Sequence, residues 1–366
     1  MSKSADLAHR LPCWIGACCI ALASLHAVAD DDAAQGGGYH LGNGLPLGDS
    51  GLRIGGYATG SYERESATPP RVAVDNLSLF VWWEGEGRWK FFSELEYQNL
   101  LLTRERRHDH DGYLSLERAY IDYALTDNFD LRAGKFLTPI GRWNLIHATP
   151  LVWTTSRPLV TSLEFPTNMT GAMLTGRLPN LGNGVEYNVY GTSGSDLHTN
   201  PSVDPFTAGM GTHIAWTAMP NLQLGFSYAN FRQASARSER KQIAGVDFLW
   251  THNRYELSGE MIYRHTNLSK TDNEKGAYLQ FVAPLGGKLY AVARYEIYSV
   301  DRDDVPEKIR ATNPNAYPNG ASMSFRVAGL NYRITPALVL KAEWVASSHN
   351  VMHAPDGLLA SINVLF

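Results

Sequence analysis

Beyond residue 50, apolar and polar side chains alternate with a period of two in stretches of about ten residues, each closed by a turn signal. From Leu222 onward, Leu224, Phe226 and Tyr228 alternate with Gln223, Gly225 and Ser227. Tyr255, Leu257, Met261 and Tyr263 alternate with Glu256, Ser258, Glu260 and Arg264. Ala291, Ala293, Tyr295 and Ile297 oppose Arg294 and Glu296, and Leu338, Leu340, Ala342 and Trp344 oppose Lys341 and Glu343. A strand turns successive side chains to opposite faces, so each unit predicts a strand with one apolar and one polar face. No stretch reads as a helix of ordinary length, and no apolar run reaches the roughly 20 residues of a membrane-spanning helix.

A soluble sandwich would show the same alternation, with its apolar face turned inward. The connections separate the two cases, because short and long ones alternate strictly down the chain. Glu84 to Gly87, Thr126 to Asn128, Leu178 to Gly184, Met219 to Asn221 and His252-Asn253 are short. Arg64 to Pro70, Leu101 to Gly112, Leu137 to Pro166, Thr192 to Gly209 and Val300 to Gly320 are long and mostly polar. That asymmetry belongs to transmembrane barrels with short periplasmic turns and long outer loops. The expected fold is all-β: one transmembrane antiparallel β-barrel of about 16 strands over residues 51–366, wide enough for an aqueous channel. An even strand count puts both ends of the barrel beside the short turns. Residues 30–50, with Gly36-Gly37-Gly38, then form a flexible periplasmic lead-in.

Composition changes this picture little. A hydrophobic fraction of 44% and a mean hydropathy of −0.24 resemble a soluble protein, but a barrel dilutes its lipid face with lumen residues. Aromatic residues at 11% suit interfacial girdles. At the N-terminus, Lys3 and Arg10 precede the apolar stretch Leu11 to Ala23, and Ala27-Val28-Ala29 offers a small-x-small cleavage site. Residues 1–29 are therefore expected to be a signal peptide cleaved near Ala29. Cys13, Cys18 and Cys19 all fall within it, which excludes disulfides and thiol chemistry from the exported chain. A net charge of −4 gives no case for nucleic acid.

The connection Leu137 to Pro166 is too long to be idle and too apolar to be solvated. Trp143, Leu145, Ile146, Leu151, Val152, Trp153, Leu159, Val160 and Phe165 need an apolar surface, and the inside of the barrel supplies one. The passage Arg132-Ala133-Gly134-Lys135-Phe136, followed by Thr138-Pro139-Ile140-Gly141, resembles the phosphate-selective porin O/P family. The general plan is similar to that of trimeric porins. The resemblance implies a third loop folded into the lumen, a homotrimer, and passive diffusion of small polar or ionic solutes across the outer membrane of a Gram-negative bacterium. It also implies a pore constriction at Arg142, His147, Arg157 and Glu164, facing wall groups such as Lys135.

Alternation places Lys90, Arg132, Arg254, Arg264, Arg294, Arg326 and Lys341 on the lumen wall, together with Glu94, Glu96, Glu256, Glu260, Glu296 and Glu343. An anion filter needs cations with few acids nearby, so this mixed wall does not by itself support strong charge selectivity. The final strand alternates Leu358, Ala360, Ile362 and Val364 with Leu359, Ser361, Asn363 and Leu365, and ends in Phe366. It looks like the signal read by the barrel-assembly machinery. Lipid and lipopolysaccharide are the other expected partners.

Other chemistry finds little footing. The run Arg104 to Asp111 alternates His108 and His110 with Asp109 and Asp111, a pattern open to metal, but reads better as a solvated outer loop. No nucleophile elbow, zinc-protease motif or phosphate loop is present. An interfacial hydrolase would need a base such as His213 or His265, and no spacing selects either. No cofactor or metal is expected. The rival readings are a solute-specific channel, with anion or phosphate as candidate cargo, and a plugged barrel with a structural or adhesive role.

Overall fold

The computed structural model describes residues 41–366 except 66–68, 86, 104–111, 147, 162–164, 195, 199–202, 236, 268–272, 301–320 and 351–353. The expected signal segment with its cleavage site and the Arg104 to Asp111 run lie outside the described residues.

A two-residue strand, β1 (Leu45–Pro46), precedes the barrel strands. These are β2 (Leu52–Arg64), β3 (Arg71–Glu84), β4 (Trp89–Thr103), β5 (Tyr113–Thr126), β6 (Phe129–Leu137), β7 (Asn168–Leu178), β8 (Val185–Thr192) and β9 (Phe206–Met219). There follow β10 (Leu222–Gln233), β11 (Lys241–His252), β12 (Tyr255–Thr266), β13 (Glu274–Gly286), β14 (Leu289–Val300), β15 (Ala321–Thr335), β16 (Leu338–Ser348) and β17 (Gly357–Leu365). Each pairs antiparallel with its chain neighbours, and β17 pairs with β2 from Leu358↔Arg64 to Leu365↔Tyr57. The result is a closed antiparallel barrel of 16 strands. Closure leaves no long edge with unpaired backbone groups, the condition for a sheet to cross a bilayer. β1 adds to β2 through Leu45↔Ile54.

The two faces are inverted relative to a soluble protein. Leu79, Leu95, Ile121, Met210, Phe226, Met261, Leu279, Trp344 and Ile362 are exposed, whereas Glu94, Glu96, Glu260, Arg294, Glu343 and Asn363 are buried. Alternation therefore puts apolar side chains outside and polar ones inside, as a lipid-facing barrel requires. The inside is not polar throughout. Phe136, Tyr190, Phe206, Phe231, Ile243, Ile262 and Tyr278 form an inner-wall apolar cluster that the loop after β6 completes.

Candidate functional site: the lumen and its folded loop

The connection from β6 to β7 enters the lumen. Among its described residues are three single turns of 3-10 helix, Trp143–Leu145, Thr149–Leu151 and Leu159–Thr161, with Ala148 and Val152 extended at the two ends of the second. Pro139, Pro150 and Pro158 keep any turn from growing into a longer helix. The apolar side chains find the surface their composition demands. Ile140, Trp143, Val152, Val160 and Phe165 pack into the inner-wall cluster, and Leu159 joins Met323, Phe325 and Val327. The Trp153 ring lies 5.0 Å from that of Tyr290. Burial of each large side chain contributes about 1.5–3 kcal/mol to holding the loop inside.

The polar wall groups then fix its path. Glu343 accepts from the amides of Thr155 (3.0 Å) and Ser156 (2.7 Å), Glu296 accepts from the amide of Leu159 (2.9 Å), and Glu260 accepts from that of Trp143. These three glutamates stand on alternate strands, β12, β14 and β16. Cations beside them hold loop oxygens: Lys341 donates to the carbonyls of Thr149 (2.6 Å) and Thr154 (3.1 Å), and Arg294 donates to Ser156 Oγ (2.6 Å) and to Glu296 (2.7 Å). Asn331 donates to the Trp153 carbonyl (2.9 Å), and Thr155 meets Ser361 at 2.9 Å. Gly141 allows the closest approach. Its φ is +66°, and a Cβ there would lie 2.1 Å from Glu260 Oε2.

The expected constriction residues separate into distinct roles. Arg142 reaches Gln223 on β10 at 2.7 Å, and among the described residues no carboxylate lies within ion-pair distance of it. Arg157 braces the loop from within, donating to Asn144 Oδ1 (2.6 Å), Thr161 Oγ1 (3.1 Å) and the Thr161 carbonyl (2.9 Å). Burial lowers its guanidinium pKa to about 10, which leaves it charged at neutral pH. Lys135 is fully buried and pairs with Asp196 at 2.7 Å, so its partner comes from the β8–β9 connection rather than from the third loop. His147 and Glu164 lie outside the described residues.

Of the expected wall residues, Glu94 pairs with Arg118 (2.5 Å), and Arg132 holds Asp122 through two bonds of 2.7 and 2.9 Å. Glu96 accepts from Asn76 (2.8 Å) and Ser78 (2.7 Å), Arg264 pairs with Glu274, and Lys90 and Glu256 stand near the short-turn rim. Arg254 precedes β12 in the short β11–β12 turn, where it is exposed at the rim, donates to the hydroxyl of the inward Tyr290 (3.1 Å) and stacks 4.8 Å from its ring. One assignment is corrected. Arg326 is exposed on the outer face, since Phe325 and Val327 on either side of it are buried against the loop.

Sequence reasoning passed over Arg118, Asp122 and Asp247, whose positions on polar faces were legible; Arg118 and Asp122 find partners on neighbouring strands, and Asp247 meets His213 across β10. It also passed over Arg333, which is buried, stacks 4.3 Å from the Trp153 ring and leaves Nε and Nη1 without hydrogen-bond partners. His213 faces Asp247 at 3.2 Å, and His265 meets Asn273 at 2.8 Å near the outer loops.

This architecture defines a class. The fold is that of the sixteen-stranded porins, with a third loop folded inside. OmpF of Salmonella typhi in complex with daunomycin superposes with a TM-score of 0.60 at 12% identity over 87% of this chain and 99% of that one. The trimer form of OmpT of Vibrio cholerae gives 0.58 at 8% identity over 86% and 99%. The anion-selective porin from Comamonas acidovorans gives 0.54 at 11% identity over 86% and 98%. At these identities the likeness is one of fold. No family model matches the chain. An uncharacterised protein of Aquifex aeolicus (strain VF5) is 31% identical over 119 residues, which are 32% of this chain and 27% of that protein. The chain thus spans about a quarter of the length of that curated relative.

Proposed function

We propose that the chain is an outer-membrane porin, a passive diffusion channel for small polar or ionic solutes, exported by cleavage of residues 1–29 and assembled as a homotrimer. The observation that carries this reading is a closed barrel with an apolar exterior whose third loop is bonded to the inner wall. A loop bonded to the wall narrows the lumen, and the channel reading requires a passage beside it. The trimer is supported by the trimer form of the OmpT structure. Arg142, a loop cation that reaches across to Gln223 and has no carboxylate within ion-pair distance among the described residues, is the proposed constriction residue, and Arg157 is proposed to shape the constriction by bracing the loop.

A mild preference for anions is the second reading. Arg142 in the loop and Arg333 on the wall have no carboxylate within ion-pair distance among the described residues. Single-channel recording of the refolded protein in a planar bilayer tests both readings. Stable conductance steps are expected, with a reversal potential in a KCl gradient displaced toward chloride. Silence from folded protein would overturn the channel in favour of a plugged barrel, and a potassium-side reversal would overturn the anion preference.

A further inference from the structure

The interior of a water-filled barrel is ordinarily polar, yet four aromatic rings run diagonally across the inner faces of β2 to β5. Tyr57, Phe80, Phe92 and Tyr120 follow one another at centroid separations of 5.6, 5.7 and 5.5 Å, the last pair stacked. The register sets Phe80 opposite Glu94 and Phe92 opposite Tyr120, which keeps these rings on the face of the buried carboxylates. Phe80, Phe92 and Tyr120 are only half-buried, so ring surface is accessible from the lumen.

Two guanidinium groups hold the rings in place. Arg118 lies 4.5 Å from the Phe92 centroid, and Arg132 lies 3.6 Å from that of Tyr120. Each is matched by a carboxylate, Arg118 by Glu94 and Arg132 by Asp122. The chemistry selects among solutes. An anion approaching the rings meets Glu94 and Asp122, and a cation meets Arg118 and Arg132. A neutral solute meets neither repulsion. Ring faces flanked by fixed donors and acceptors suit the C–H face and hydroxyl edge of a sugar ring.

We infer that the β2–β5 wall is a binding ledge for neutral polyhydroxylated rings, that is, carbohydrate of mono- to disaccharide size. It rests on the channel reading above, since the solute must enter the lumen. The test uses maltose in two measurements on the folded, detergent-purified protein: calorimetric titration, and block of the KCl current in a bilayer. Saturable binding and saturable block are expected, with a polyethylene glycol of equal size giving only a linear fall in current. Phe92→Ala and Phe92→Leu should each weaken maltose binding about tenfold, because both remove the ring face. Wild-type binding by folded Phe92→Leu, or no saturable binding at all, would overturn the ledge. Saturable block by acetate but not by maltose would overturn its neutral specificity. Silence in KCl would overturn the channel alone, because calorimetry still decides the ledge.

Discussion

The ring of Phe366 occupies the space where a side chain on Gly56 would stand, and the two residues exchange backbone hydrogen bonds of 2.8 Å in each direction. A Cβ on Gly56 would lie 2.9 Å from Phe366 Cζ and 2.0 Å from the Ser78 carbonyl oxygen. The last residue of the chain therefore completes the seam between β17 and β2, and only glycine leaves room for it. Gly56→Ala should destabilise the folded barrel by about 1–3 kcal/mol through forced backbone displacement. Thermal unfolding followed by the electrophoretic shift between folded and heated protein would show this, and an unshifted midpoint would count against the seam.

Glu343 holds two loop amides, and hydrogen bonds to a charged group contribute about 1.5–3 kcal/mol each. Glu343→Ala should free the Thr155–Ser156 segment while the barrel still folds. The expected signature is greater open-channel current noise and altered conductance, with unchanged electrophoretic mobility of the folded form.

Arg142→Ala should shift the reversal potential toward potassium, since it deletes a lumen cation whose partner among the described residues is the neutral Gln223. Arg157→Ala removes an internal brace, so its main effect should be on current noise and thermal stability. Equal effects of the two variants on selectivity would refute this division of roles.

Arg326→Ala should leave conductance and reversal potential unchanged, because the side chain is exposed on the outer face. A selectivity change of the size produced by Arg142→Ala would show that it reaches the lumen after all.

The sixteen strands and the alternation of short and long connections were legible because a two-residue period and turn chemistry are local properties. The inward course of the third loop was legible from its excess of apolar residues. The roles of individual charges were not. Alternation puts Arg326 on the wall as a charged position; the loop brings Leu159 into the lumen, Phe325 and Val327 turn inward to meet it, and Arg326 between them is left outside. Glu260, Glu296 and Glu343 read as free lumen charges, whereas each accepts a backbone amide from a segment more than a hundred residues away in sequence. Arg118 and Asp122 draw their meaning from partners on adjacent strands, Glu94 and Arg132, which a single strand's pattern does not contain.

The wall glutamates grip the loop by its peptide groups, and those are the same whatever side chain follows. A substitution in the loop can thus alter what the passage admits without loosening the loop's attachment, while a substitution in the wall loosens the loop without touching its sequence. The peptide part of the anchorage is thus indifferent to polar loop positions such as Arg142, which can change while it stays as it is.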